Sequence, residues 1–269
     1  MKINHNISAV RAMYQLTRSN DIMGKSLSKL SSGKQIESAQ DEPSNYGVSA
    51  KLRDQLKGLE MAKRNAMDGI SYLQTVEGTV EEVTSMIQRM RELSVKSANG
   101  SYELIDRENM NNEFVALREE IDRITKDAEF NGRSVLDGAI SIKIHSGANM
   151  NERMDVDIPE INSVTMGLDT IDILSSANAN DAIGLVDDAM KVLMKTRSQI
   201  GAYQNNLESS ITKLDGSVET FTKSLSKIED VDMALEMVEY TKHQLLSQAG
   251  TAILSQANSR PESLLKILN

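Results

Sequence analysis

The chain has 269 residues, a net charge of −9, three Phe, three Pro and neither Cys nor Trp. This excludes disulfides and thiolate metal sites, disfavours an aromatic-rich β core, and leaves no concentrated basic face for nucleic acid. Fifteen Met among many Leu, Ile and Ala suit long helices with adaptable contacts.

The first 34 residues carry six bases against one acid, Asp21, whereas the last 40 carry five acids and three bases, so the two ends are weakly complementary. Near the N-terminus, Met13, Leu16, Met23, Leu27 and Leu30 fall at alternating spacings of three and four, with Asn20 in the polar seat. Ile3, Ile7 and Val10 extend this stripe upstream with one shift of phase. The spacing predicts an amphipathic helix to about Leu30, closed at Ser31-Ser32-Gly33 by a C′ glycine. Lys34 to Tyr46, with Asp41-Glu42-Pro43, reads as an extended or turn-rich connector.

A second helical stripe runs from Leu52 to Met90 through Ala66, Ile70, Leu73 and Val76, with Lys63 filling one seat, and closes at Asn99-Gly100-Ser101. A third runs from Met110 through Phe114, Leu117, Ile121 and Ile124 to Ala128, before Phe130-Asn131-Gly132. The period then changes to two. Ile140, Ile142 and Ile144, then Met154, Val156 and Ile158, alternate with polar residues on either side of Gly147-Ala148-Asn149, the signal of a β-hairpin at about 139–159. From Ala182 to Ile228 the chain gives its longest stripe, a helix that must pack lengthwise against the second and third. Beyond Asp230 a last helix carries Leu235, Val238, Leu245, Ala249 and Ile253, with Leu264 and Leu268 after Pro261. The fold class is therefore mainly α, a long coiled-coil-like bundle with one small hairpin.

Catalytic and metal signatures are weak. His5, His145 and His243 sit in separate elements, Ser31-Ser32-Gly33-Lys34 fails the phosphate-loop pattern, and Asp155 and Asp157 share the outward face of a strand without a cleft. No cofactor and no enzymatic activity are expected. No apolar run approaches the roughly 20 residues that span a bilayer, and the start lacks the apolar region of a cleaved signal, so neither a membrane partner nor Sec export is expected. A terminal segment of about 30 residues is marginal as a lone helix. Its apolar face calls for the opposite terminus, a neighbouring copy or an export factor.

Four segments carry a family resemblance: Lys2-Ile3-Asn4-His5-Asn6-Ile7-Ser8-Ala9, Leu27-Ser28-Lys29-Leu30-Ser31-Ser32-Gly33-Lys34, Gln88-Arg89-Met90-Arg91-Glu92-Leu93-Ser94-Val95 and Glu129-Phe130-Asn131-Gly132. Together with Leu246-Ser247-Gln248-Ala249-Gly250-Thr251-Ala252-Ile253-Leu254-Ser255-Gln256-Ala257-Asn258, they resemble bacterial flagellin over residues 1–138 and 180–269. The resemblance implies that residues 1–42 with 230–269 form a terminal coiled-coil, filament-core domain. It implies that residues 43–229 form a rod-like helical domain, and that the terminal helices fold as a pair on assembly of a homopolymer used for swimming.

It further implies export through the flagellar type III apparatus without a cleaved signal, and an extracellular location. An export chaperone at the C-terminal helix and hook-associated junction and cap proteins are implied as partners, as is recognition by a Toll-like innate receptor through Gln88, Arg89, Leu93 and Glu113, overlapping the protofilament contact. The terminal assembly stripe comprises Ile3, Ile7, Val10, Met13, Leu16, Met23, Leu27, Leu30, Leu235, Val238, Leu245, Ala249, Ile253, Leu264 and Leu268. About 40 residues, Ala139 to Asn178, stand where relatives insert large outer domains. A short subunit follows, with the Ser and Thr residues between Ser141 and Ser176 as exposed candidates for glycosylation. Alternatives are a hook–filament junction protein of the same family and a secreted helical module that binds a host receptor.

Overall fold

The computed structural model describes residues 6–268, with side chains to Ser259. Its elements are α1 (Ile7–Ser32), α2 (Pro43–Ala98), α3 (Leu104–Asp127), β1 (Glu129–Phe130), β2 (Arg133–Ser134), β3 (Ile140–His145), β4 (Arg153–Ile158), α4 (Ser176–Glu229) and α5 (Met233–Leu268). Two compact units emerge, one of Met1–Leu56 with Glu219–Asn269 and one of Lys57–Val218, and α2 and α4 contribute to both.

In the first unit, Asn6 caps α1 by accepting from the Ala9 amide at 3.1 Å. Gly33 ends the helix as expected, with φ +70° and its amide on the Lys29 carbonyl at 2.8 Å. The connector is held by Asp41, whose carboxylate accepts from the Ser38 and Glu37 amides at 2.9 and 3.2 Å. These amides lower its pKa below the usual carboxylate range. The connector is shorter than the sequence reading, because α2 begins at Pro43 rather than beyond Tyr46. Proline at a first helical position loses no needed N–H and brings its φ already set for the helix.

In the second unit, α2, α3 and α4 close on one core, with Leu73, Ile87, Phe114, Ile121, Leu193 and Ile200 almost wholly buried. The α2 seam corrects the expected stripe. The buried seats are Leu59, Ala62, Ala66, Gly69, Leu73 and Val76, whereas Lys63 sits beside the seam and pairs with Asp215 at 2.6 Å. Gly69 takes the place given to Ile70 because β3 presses there. A Cβ at Gly69 would lie 2.6 Å from Ile144 Cδ1 and 3.3 Å from Leu207 Cδ1.

The expected hairpin is β3 and β4, antiparallel with Ile140 opposite Ile158 and His145 opposite Arg153. Ile144, Val156 and Ile158 face the core. A second, unexpected hairpin follows α3: β1 and β2 pair through Asn131 and Gly132, both at positive φ, the pairing of a tight two-residue turn.

The segment 159–175 has no periodicity, yet buries Ile161, Met166, Leu168 and Ile173. Side chains of α3 pin its backbone: Asp122 accepts from Ser163 N and Oγ at 2.8 and 2.6 Å, Arg118 donates to the Asp169 carbonyl at 2.6 Å, and Asn111 accepts from Ile173 N at 3.0 Å. Ser163 is only 2% exposed, which removes it from the exposed candidates for glycosylation. Asp122→Ala strands two donors on a buried residue, so it is expected to lower stability by about 1–3 kcal/mol, read as a fall in Tm.

Candidate assembly interface

α1 and α5 pair antiparallel. Asn6 Nδ2 donates to the Ala257 carbonyl at 2.7 Å, Ser19 Oγ lies 3.0 Å from His243 Nδ1, and Ser247 Oγ donates to Asn20 Oδ1 at 2.8 Å. At the base of the pair the Gln35 amide donates to the Glu229 carbonyl at 2.6 Å and the Val231 amide to the Gly33 carbonyl at 3.1 Å. Arg53 Nη2 meets the buried carboxylate of Glu229 at 2.5 Å.

The residues turned toward the seam mix small or polar side chains with Leu16, Met23, Leu30 and Leu254. From α1 they are Ala9, Ala12, Leu16, Ser19, Met23, Ser26 and Leu30; from α5, Glu236, Tyr240, His243, Ser247, Gly250, Leu254 and Ala257. Both series keep heptad spacing, so the two helices meet along their length. Leu16 packs over Gly250, where a Cβ would stand 3.4 Å from Leu16 Cδ1. The His243 side chain is 13% exposed, and its Nε2 lies 3.6 Å from Glu239.

The large apolar residues expected as an assembly stripe divide between two faces. Leu16, Met23 and Leu30 are half-buried toward the seam. Ile7, Val10, Met13 and Leu27 on α1, with Leu235, Val238, Leu245, Ala249 and Ile253 on α5, are exposed. Val10 and Val238 are 67% and 66% exposed. Ile3 lies outside the described residues, as do the side chains of Leu264 and Leu268. A helical pair that turns Ile7, Val10, Val238 and Ile253 outward still has apolar surface to bury.

On the second unit, Arg89 Nε meets Glu113 Oε1 at 2.8 Å and Arg89 Nη1 meets Glu92 at 2.9 Å. The carboxylate of Glu113, then that of Glu92, raises the Arg89 pKa further above its ordinary value. Gln88 is exposed beside them, but Leu93 is only 3% exposed, so the four residues do not form one open surface. Arg89, Leu93, Lys96, Tyr102, Met110 and Glu113 instead line a cavity of about 270 Å³ between α2 and α3. Sequence periodicity gave no sign of this cavity, since its walls come from two helices and the turn between them.

At the other end of the second unit lies the β3–β4 tip. Glu152 accepts from the Asn149 amide at 2.9 Å and from Asn149 Nδ2 at 3.0 Å. The Asn149 side chain, then its backbone amide, holds Glu152 below the usual glutamate range. The Glu152 side chain also covers Gly147, where a Cβ would collide with it. The turn so fixed presents Met150, 87% exposed.

Among the described residues no group of three or more His, Cys, Asp or Glu could hold a metal, and no helix is long and apolar enough to cross a membrane. Long helices, exposed apolar faces and paired termini define a self-assembling helical structural protein. Residues 3–141 match the bacterial flagellin N-terminal helical region and residues 183–268 the bacterial flagellin C-terminal helical region. The chain is 42% identical to the flagellar filament 33 kDa core protein of Treponema phagedenis and 40% identical to a flagellin of Halalkalibacterium halodurans, over the whole of each chain in both cases. A solved structure of a hook-associated protein from Vibrio parahaemolyticus, 16% identical, shares the fold with a TM-score of 0.60 over 71% of this chain and 100% of that one. The chain belongs to the flagellin family, in a short form without large outer domains, and its function is that of a structural subunit of the flagellar filament.

Proposed function

We propose that residues 1–42 with 230–269 form the filament-core coil and residues 43–229 the rod of the subunit, and that the terminal pair gains its full order when a subunit joins the polymer that drives swimming. The observation that carries this reading is the solvent-facing row of Ile7, Val10, Met13, Leu235, Val238 and Ile253 around a seam of small residues. Such a pair completes its apolar burial only against other copies, which is folding coupled to binding. The test is electron microscopy of purified full-length chain, alone and seeded with filament fragments, beside a version lacking residues 1–30 and 236–269. Filaments from the full chain and none from the shortened one are expected; filaments from both would end the reading.

The finer parts follow the same logic. The subunit leaves the cell through the flagellar export apparatus, with a chaperone on the C-terminal helix shielding its apolar side beforehand. Junction and cap proteins meet the same terminal pair at the filament ends. The chain performs no catalysis and binds neither nucleic acid nor membrane. A Toll-like innate receptor reads Gln88, Arg89 and Glu113, with Leu93 supporting them from the cavity wall; an Arg89→Asp protein that signals as strongly as the parent would overturn this. The junction-protein and host-module alternatives are not favoured, because the whole-length relatives are flagellins and filament core proteins.

A further inference from the structure

We infer that the free edge of β3 is a docking site for an extended acidic segment of a partner protein, which lies in the cavity between α2, the β1–β2 hairpin and β3 and pairs there as an added strand. The cavity has a volume of about 550 Å³ and is lined by Gly69 and Tyr72 of α2, by Phe130 and Arg133 of the small hairpin, and by the whole of β3. All of it lies within the second unit.

β3 has a strand neighbour on one side only. Three hydrogen bonds set the phase of its ladder. Just beyond its end the Ser146 amide donates to the Glu152 carbonyl at 3.0 Å, the Asp157 amide opposite Ser141 turns away from β3 to Tyr203 Oη at 3.4 Å, and the His145 carbonyl turns away from β4 to accept from Asn65 Nδ2 at 3.1 Å. Alternation along an antiparallel ladder then points the N–H and C=O groups of Ser141 and Lys143 away from β4. These groups have no hydrogen bond among the described residues. An open edge of this kind recruits an extended chain, with main-chain bonds giving affinity and alternate side chains giving specificity.

Tyr72 independently calls for a ligand. It is only 5% exposed, its ring meets Phe130 edge-on with centres 5.6 Å apart, and its hydroxyl has no hydrogen-bond partner among the described residues. Burial pushes the phenol pKa up, so the group stays a donor in need of an acceptor. A carbonyl or carboxylate entering the cavity satisfies it.

Charge defines the chemistry of the occupant. Arg133, Lys143 and His145 stand at the cavity against a single acid, Asp68, in a chain of net charge −9. Arg133 and Lys143 are exposed and have no carboxylate partner among the described residues. Two spare cations beside open backbone select acids on the incoming strand. A partner protein is favoured over a second copy because the chain's own extended acidic stretches are committed: Arg153–Ile158 is paired with β3, and the connector acid Asp41 is held by the Ser38 and Glu37 amides.

The test adds a fluorescein-labelled hexapeptide of alternating glutamate and valine to dilute full-length subunits. Saturable binding by anisotropy is expected, at least about tenfold tighter than that of a lysine–valine hexapeptide. Lys143→Glu should weaken binding at least about tenfold with unchanged circular dichroism, and Tyr72→Phe, which keeps the ring, about threefold or more. On binding, amide hydrogen exchange read by NMR should slow at Ser141 and Lys143 and stay the same at Ile142 and Ile144, which face β4. Absence of saturable binding, parental affinity in Lys143→Glu, or binding that leaves the Ser141 and Lys143 amides unprotected would overturn the inference. Protection of those two amides in filaments of the chain alone would assign the edge to a second copy and overturn the partner assignment.

Discussion

Aspartate at Val10 or Val238 is expected to abolish filament growth at concentrations where the parent assembles, while the thermal unfolding of the dilute subunit stays within about 1 °C. Both valines are two-thirds exposed on the solvent-facing sides of α1 and α5, so the isolated chain hardly notices the change. On the proposed assembly the same position is buried against neighbours in the polymer. The substitution forfeits roughly 1.5–3 kcal/mol of apolar burial and adds the cost of drying a carboxylate. A rise in critical concentration of at least about 100-fold corresponds to about 2.7 kcal/mol per added subunit. Sedimentation of polymer across a concentration series checks the first half, and calorimetry of subunits the second. A variant that assembled like the parent would place the outward faces of the pair outside the interface.

Gly69→Val is expected to act in the opposite sense, destabilising the subunit itself by about 2–3 kcal/mol. Valine is a better helix former than glycine by a few tenths of a kcal/mol. That gain is outweighed because its Cβ would fall 2.6 Å from Ile144 Cδ1, and Ile144 is only 6% exposed, with Leu207 closing the other side. Overpacking of this kind costs about 1–3 kcal/mol and pushes the β3–β4 hairpin off α2. Gly78, on the same helix, has nothing within 4 Å of a Cβ. Gly78→Val should therefore leave stability within about 0.5 kcal/mol of the parent, separating close approach from helix propensity in one pair of denaturation curves.

These two glycines show where sequence reading reaches its limit. Neither is a seat of the apolar stripe read from the sequence, and hydropathy treats them alike; only the third dimension reveals that one marks a backbone approached by another element. The same blindness placed Lys63 and Ile70 in seats that belong to Ala62 and Gly69. Alternation of threes and fours was enough to find every long helix, and alternation of two found β3 and β4, because burial on one face imposes those periods directly. The β1–β2 hairpin escaped because two-residue strands are too short to show a period, although Asn131-Gly132 is the turn pair that announces it. The 159–175 segment escaped for another reason. Its anchors, Asp122, Arg118 and Asn111, lie some 50 residues away and act on its backbone, leaving no local trace.

The candidate interface was legible in part. The apolar residues of α1 and α5 were found, but which of them would line the intramolecular seam was not, because a strong apolar stripe does not say whether its partner is in the same chain. Periodicity here marks two faces at once. One, where Ala, Ser and Gly alternate with Leu and Met, suits close approach within the pair, and the other, of Val, Leu and Ile, suits contact with other copies.

The bareness of that seam has a kinetic meaning. A pair that sets Ser19, Ser26, His243, Ser247 and Gly250 between its few Leu and Met contacts is expected to gain little from closing in isolation, so two free subunits meeting in solution would offer each other poorly formed surfaces. A subunit arriving at an existing end meets several finished pairs together and recovers the order it lacked. Starting a filament is thereby expected to be slow and lengthening one fast. A solution of subunits would then wait in a supersaturated lag until a template appears, with length governed by where growth is permitted to begin.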